Sequence, residues 1–360
     1  MTATATTVVF TFDPGLEAVV EQEWQEHLLA AGWPMAEVRG TSHYGNGLLF
    51  LHQLVPGPAL QKLVLNMRSI HYAYQLMGQF ELDKAASWDR FEAALREIPI
   101  PALEAATSFR VSPERHGNHA FSSYDMAKAA GDYLRDRYQL PVDLENYSHN
   151  VRVDLRDRWG WVGVQLHPDR LSRRHRRRYQ HRAALQPTVA YGLLRLTGLP
   201  EGMRGALLDP FCGSGTILIE AAALWPEMEL YGTDLVPEVL DGAQRNLEAA
   251  GLETRVRLHD MDARQLPERF PSGRFRAIVT NPPYGLRLGR QLNLYWFYRD
   301  FLAAARQVLA IDGRLVLLVL KAELFRDVLR ESGAWKVRHE QRLDAGGKHL
   351  RAFVLQPRDK

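Results

Sequence analysis

The sequence predicts an α/β protein: a doubly wound, mostly parallel sheet with an antiparallel last hairpin, preceded by smaller α+β segments. Three observations carry this. Short apolar runs and amphipathic stretches alternate from 206 to 320, the rhythm of strands joined by crossover helices. The first of those runs ends in a glycine turn, Asp209-Pro210-Phe211-Cys212-Gly213-Ser214-Gly215-Thr216. Two strand-like stretches, 337–343 and 350–355, then flank Gly346-Gly347 near the C-terminus, a hairpin signal.

Taken in order, residues 8–12 read as a strand, and Leu16, Val19, Val20, Trp24 and Leu28 fall at helical spacing across 16–31. Alternation around 47–51 and a helical stretch over 58–66 complete a small ferredoxin-like unit, assigned to residues 1–75. A second unit, 80–166, holds helices at 87–96 and 123–137, a strand at 108–111, and strands at 151–155 and 161–165 around a turn at 158–160. A basic linker, 167–185, precedes the last unit, 186–360. There the strands are 206–209, 230–234, 256–259, 277–280 and 314–320, and the hairpin strands are 337–343 and 350–355. Helices are expected at 216–224, from after Asp234 to Ala250 with Gly251 as its stop, and at 295–309.

Composition narrows the function. At 46% hydrophobic and 24% charged residues, the chain has the apolar content of folded domains, which excludes wholesale disorder. No apolar run approaches the roughly 20 residues that span a bilayer, and no basic segment precedes an apolar core at the N-terminus, so neither a membrane span nor a signal peptide is expected. A single cysteine, Cys212, excludes an intrachain disulfide and a multi-cysteine metal site. The expectation is a cytoplasmic monomer that requires no metal. Net charge is only +3, but seven arginines lie between Arg170 and Arg182.

Gly213 and Gly215 allow a tight turn and let a ligand approach the backbone near the positive end of the following helix. Phe211, Ser214 and Thr216 share that turn. Asp234 ends the next strand, 19 residues beyond Gly215, where a carboxylate accepts hydrogen bonds from ribose hydroxyls; Leu235 stands beside it. A structural turn and a helix cap would account for these residues taken singly. No Lys-Ser/Thr pair follows Gly215, so this is not a Walker loop, and the third glycine of a dinucleotide fingerprint is missing. A cofactor with ribose and adenine but no phosphates fits: S-adenosylmethionine. Asp262 and Ala263, after the third strand, are placed to meet the adenine edge, although a loop-capping aspartate is the plain alternative.

Asn281-Pro282-Pro283-Tyr284-Gly285 follows the fourth strand. Its prolines remove backbone donors and stiffen the loop. The Asn281 side-chain oxygen and the Pro282 carbonyl can accept both hydrogens of a flat exocyclic amine, while Tyr284 stacks on its ring. Such an amine is a poor nucleophile, so orientation and preorganised electrostatics supply the catalysis. Methylation at pyrimidine C5 uses a thiol nucleophile; Cys212 lies inside the cofactor turn and reads as a packing residue, which points back to an amine.

These two motifs together resemble the Rossmann-fold amino-methyltransferases. Within that group the chain closely resembles the THUMP-domain RNA guanine-N2 methyltransferases. Phe109-Arg110-Val111, His119-Ala120-Phe121-Ser122-Ser123 and Val142-Asp143-Leu144-Glu145-Asn146 are similar to the run of a THUMP domain. Leu171-Ser172-Arg173-Arg174 and Ala183-Ala184-Leu185-Gln186-Pro187-Thr188 match its junction with the catalytic domain. The likeness covers 80–357; the first 75 residues correspond to the ferredoxin-like segment ahead of THUMP. It implies a Rossmann-like methyltransferase sheet with Asp209, Gly213, Gly215, Asp234, Asp262 and Asn281 lining the cofactor pocket. Asn281, Pro282 and Tyr284 would face the base. The implied reaction is methylation of guanosine N2, in tRNA in preference to 23S rRNA. His175-Arg176-Arg177-Arg178 departs from the family by its density of arginine.

Arg173, Arg174, Arg176, Arg177 and Arg178, with Tyr179 and His181 among them, suit phosphate contact and stacking on RNA. A solvated linker, or caps on acidic surfaces of the neighbouring domains, are the other readings. Adenine-N6 methylation shares the Asn-Pro-Pro-Tyr chemistry, and a non-catalytic RNA-binding or assembly factor would share the fold; the intact motifs oppose the latter.

Overall fold

A computed structural model describes residues 6–35, 37–40, 47–53, 57–83, 87–180, 184–200, 202–285 and 293–358. The chain divides into two units, one of residues 1–12 and 21–171, the other of residues 13–20 and 172–360.

The first unit contains β1 (Thr6–Thr11), most of α1 (Glu17–Ala30), β2 (Glu37–Gly40), β3 (Leu48–Gln53), α2 (Gly57–Leu65) and β4 (Tyr72–Glu81). It continues with α3 (Trp88–Glu97), β5 (Phe109–His116), α4 (Ser123–Tyr138), β6 (His149–Arg156) and β7 (Trp159–Gln165). Its strands form one seven-stranded sheet in the order β2-β3-β1-β4-β7-β6-β5. The strands assigned above to segments 1–75 and 80–166 are therefore hydrogen-bonded together, through β4 between β1 and β7. Helix α4 starts at a capping box: the Ser122 hydroxyl accepts from Asp125 N, and the Asp125 carboxylate accepts from Ser122 N at 2.8 Å. These bonds satisfy donors that the first helical turn leaves open. Met126, Ala130 and Leu134, four apart, turn its inner face onto Phe91, Phe109, Val151 and Val153.

The second unit contains α5 (Pro187–Leu196), β8 (Gly205–Asp209), α6 (Thr216–Leu224), β9 (Met228–Asp234), α7 (Pro237–Ala249) and β10 (Val256–Asp260). β11 (Phe275–Thr280), α8 (Leu294–Val308), β12 (Leu309–Val319), α9 (Ala322–Ser332), β13 (Trp335–Ala345) and β14 (Lys348–Pro357) complete it. The sheet order is β10-β9-β8-β11-β12-β14-β13. The first five strands run parallel, and the last two add antiparallel. This is the doubly wound α/β sheet with an antiparallel last hairpin. The central strands are apolar runs buried on both faces, such as Ala206-Leu207-Leu208 and Ala277-Ile278-Val279.

The chain leaves β8 toward β9 and β10 on one side and returns to β8 on the other with β11. The carboxyl ends of β8 and β11 thus lie side by side at the point where strand order reverses, the ligand crevice of such sheets. Among the described residues no helix is long and apolar enough to cross a membrane.

Candidate active site

The site is built on the ends of β8, β9 and β11. Asp209 closes β8 and is 1% exposed. Its Oδ1 accepts from the Thr280 hydroxyl at 2.7 Å and from Phe211 N at 3.2 Å. Burial raises its carboxyl pKa to about 7, against the lowering effect of those two donors.

The turn that follows needs left-handed backbone at Gly213 (φ 53°) and Gly215 (φ 78°). It is held by Cys212 N donating to Thr233 O at 2.9 Å and Gly215 N to Cys212 O at 2.8 Å. A Cβ built on Gly213 would meet nothing nearer than the Phe211 carbonyl at 3.9 Å, so the turn leaves open space above its backbone. Ser214 and Thr216 are buried, their hydroxyls 3.2 Å apart. Phe211 is half-buried against Phe297 and Phe301 of α8, with ring centroids at 5.6 and 5.1 Å. The Cys212 thiol is buried and pushed well above its ordinary pKa by that burial, so it stays protonated and packs.

Asp234 reaches back to this turn: Oδ2 accepts from Gly213 N at 3.1 Å and Oδ1 from Val236 N at 3.2 Å. A carboxylate offers about four acceptor positions, so both oxygens keep capacity for hydroxyl donors. Leu235 beside it is 62% exposed, an apolar surface next to a polar anchor. Asp262 differs from the expected open acceptor. Its carboxylate is forked by Arg264, with contacts of 3.0 Å to Oδ1 and 2.6 Å to Oδ2, and this bonding lowers its pKa. Ala263 is buried in the core with Leu266 and Phe270. Met261 N donates to Asp234 O at 3.1 Å, which fixes the 261–263 loop against the end of β9.

Asn281 is the residue after Thr280, so the Thr280–Asp209 bond sets the Asn-Pro-Pro-Tyr loop beside the glycine turn. Pro282 is buried, and Asn281, Pro283 and Tyr284 are half-buried. The Tyr284 hydroxyl donates to Asn281 Oδ1, and burial pushes the phenol well above its usual pKa. Asp209, Phe211, Gly213, Ser214, Gly215, Thr216, Asp234 and Leu235 thus share one end of the sheet with Asn281, Pro282 and Tyr284.

The arginines divide. Arg173, Arg176 and Arg178 are exposed. Arg174 turns inward and forks Glu220 of α6, with both contacts at 3.1 Å, while His175 adds a third at 2.8 Å; Glu220 is 0% exposed. Arg177 donates to Leu185 O at 2.7 Å and Thr216 Oγ1 at 3.2 Å. These two guanidinium groups therefore anchor the segment to the catalytic unit, which revises the expectation that all five face phosphate. Asn246 of α7 completes the anchor. It accepts from Arg178 N and Tyr179 N, both at 2.9 Å, and donates to Tyr179 O and Ser214 O, both at 3.0 Å. His181 lies outside the described residues. Sequence reasoning missed Thr280, Glu220 and Asn246, whose partners are 71, 46 and 67 positions away. Among the described residues, no group of three or more His, Cys, Asp and Glu is arranged to hold a metal.

Comparison with known proteins identifies the family. Residues 174–351 match the family model of the RMKL-like methyltransferase domain, and residues 85–165 match the THUMP domain. A tRNA (guanine(6)-N2)-methyltransferase from Thermus thermophilus is 38% identical, over 84% of this chain and 88% of that protein. One from Archaeoglobus fulgidus is 31% identical, over 74% of each. The crystal structure of TrmN from Thermus thermophilus superposes with a TM-score of 0.78 at 34% identity, covering 98% of this chain and 100% of that one. A likeness of this depth across both units settles the family: the chain belongs to the THUMP-domain RNA guanine-N2 methyltransferases, which depend on S-adenosylmethionine.

Proposed function

We propose that this enzyme methylates the exocyclic N2 of a guanosine in tRNA, at position 6, the position carried in the names of its relatives. The observation that supports it most is the Thr280–Asp209 bond, which holds the Asn-Pro-Pro-Tyr loop beside the glycine turn.

The residues fit the cofactor. Gly213 leaves room above its backbone, Asp234 has acceptor capacity for ribose hydroxyls, and Leu235 offers a face for the adenine. The backbone at Asp262 and Ala263 would meet its edge, the Asp262 carboxylate being turned to Arg264. Phe211, Ser214, Gly215 and Thr216 shape the turn. Bound S-adenosylmethionine supplies an electrophilic methyl group.

The chain's own part is orientation. Asn281 Oδ1 accepts from Tyr284 and keeps a second lone pair. With the Pro282 carbonyl it can hold both N–H bonds of the amine, which turns the nitrogen lone pair toward the methyl group. Neither oxygen retains a proton at neutral pH, so the loop positions the amine, and the proton that the methylated nitrogen sheds would pass to solvent. The Tyr284 ring offers a stacking face to a base taken out of its helix, an interaction worth about 1–3 kcal/mol per base.

RNA is the partner in this reading. Arg173, Arg176 and Arg178 contact phosphate, and the enzyme acts in the cytoplasm as a monomer, which light scattering would check. Incubation with labelled cofactor and unfractionated tRNA, followed by nucleoside mass spectrometry, tests the reaction. N2-methylguanosine is the expected product; methyl transfer to adenosine, or none, would overturn it.

A further inference from the structure

Helix α8 begins just beyond the catalytic loop. Its cap is Asn293, whose side-chain oxygen accepts from Tyr295 N at 3.1 Å and Trp296 N at 3.4 Å. A Cβ on Gly285 would lie 3.3 Å from the Leu294 side chain, so the first turn of α8 rests against the end of the Asn-Pro-Pro-Tyr-Gly motif. Three aromatic contacts fix the rotation of the helix. Phe297 and Phe301 pack on Phe211, and Tyr298 meets Phe325 edge-on at 5.0 Å.

Holding those rings inward turns Trp296 and Arg299 outward. Trp296 is 49% exposed, whereas the other seven of the eight tryptophans are buried or half-buried. The Arg299 guanidinium carbon sits 4.2 Å from the indole centroid, a cation–π pair. Arg299 also pairs with Asp300 at 2.7 Å. The indole–guanidinium pair therefore lies on the first two turns of α8, next to the end of the Asn-Pro-Pro-Tyr-Gly motif.

A base drawn out of its stack leaves its neighbours without a stacking partner. A rigid exposed indole beside a cation can replace that partner, with the guanidinium reaching the adjoining phosphate. We propose that Trp296 and Arg299 form a platform that stacks an unpaired nucleotide of the RNA next to the guanosine entering the site. This rests on the RNA-methylating function proposed above.

The test compares the wild type with Trp296→Leu, Trp296→Tyr and Arg299→Gln. Dissociation constants for unfractionated tRNA are measured across a salt series, and the affinity for S-adenosylhomocysteine is measured by calorimetry. Trp296→Leu should weaken tRNA binding about tenfold, as loss of one stacked base does, and Trp296→Tyr should recover most of it. Arg299→Gln should reduce the salt slope by about 0.9, the share of one neutralised phosphate. Cofactor affinity should stay unchanged in all three. A Trp296→Leu variant that binds tRNA like the wild type, that loses cofactor affinity equally, or that only changes self-association would overturn the platform. If the wild type methylates tRNA in that case, the platform alone fails. A wild type that binds the cofactor and neither binds nor methylates tRNA removes the functional reading and the platform together.

Discussion

Thr280, the last residue of β11, donates its hydroxyl to Oδ1 of Asp209, the last residue of β8, at 2.7 Å. The bond ties the Asn-Pro-Pro-Tyr loop to the glycine turn across two adjacent strands. Thr280→Val should remove that tie without altering the strand, since valine is as β-branched as threonine. We expect kcat to fall about tenfold while cofactor affinity changes little, the size of one missing orienting hydrogen bond. Steady-state kinetics beside calorimetry checks it.

Asp209 also gives the fold a pH dependence. Its carboxyl titrates near 3.8 when unfolded and near 7 in the buried site. Between those values the folded protein keeps a proton that the unfolded chain has released, so this group's stabilisation is present below 3.8 and is lost as pH rises through 7. Asp209→Asn keeps an acceptor for Thr280 and removes the titration. Its Tm relative to the wild type should therefore climb from about pH 4 to pH 7 and then level off. A difference that is constant across that range would mean the carboxyl is already ionised.

Asn281→Ala removes the amide proposed to hold the amine, and turnover should drop by about 100-fold or more, as for loss of a preorganised electrostatic donor or acceptor. Cofactor affinity should stay within a few-fold. Tyr284→Phe keeps the stacking ring and loses only the hydrogen bond to Asn281, so its defect should be smaller and confined to kcat. Equal activity of Asn281→Ala and the wild type would remove the amide from the mechanism.

Asp234→Ala should weaken S-adenosylhomocysteine binding by at least about tenfold, since charge-assisted hydrogen bonds contribute about 1.5–3 kcal/mol each. It also deprives Gly213 N of its acceptor. Calorimetry reads this directly, and an unaltered constant would count against the ribose assignment.

The arginine segment makes opposite predictions for neighbouring residues. Replacing Arg173, Arg176 and Arg178 by glutamine should flatten the salt dependence of tRNA binding by about 0.9 for each phosphate no longer neutralised, and leave Tm nearly unchanged. Arg174→Ala should instead lower stability by about 3 kcal/mol, because it strips the guanidinium from the fully buried carboxylate of Glu220.

What could be read in advance follows from how each element is buried. β8 and β11 are short apolar runs, and α4 announces itself by a Ser-x-x-Asp start and an apolar stripe. β4 shows no such alternation: only Ala73 and Tyr74 of its ten residues are buried. α5 is buried along its first eight residues, Pro187 to Leu194, so no polar face marks its period. α9 carries a legible stripe, Phe325, Val328 and Leu329, but outside any motif. In the site, glycines and prolines revealed the two loops because backbone geometry is local. The inward turn of Arg174 was hidden because its partner Glu220 comes 46 positions later.

β4 has a practical corollary for anyone wishing to transplant the THUMP region. β7 takes its neighbour from β4 along Trp159–Gln165, so excising 85–165 alone bares a full row of amide and carbonyl groups. Such an edge invites pairing with any passing chain. A graft that carries β4 and the strands before it would stay folded where the minimal fragment precipitates.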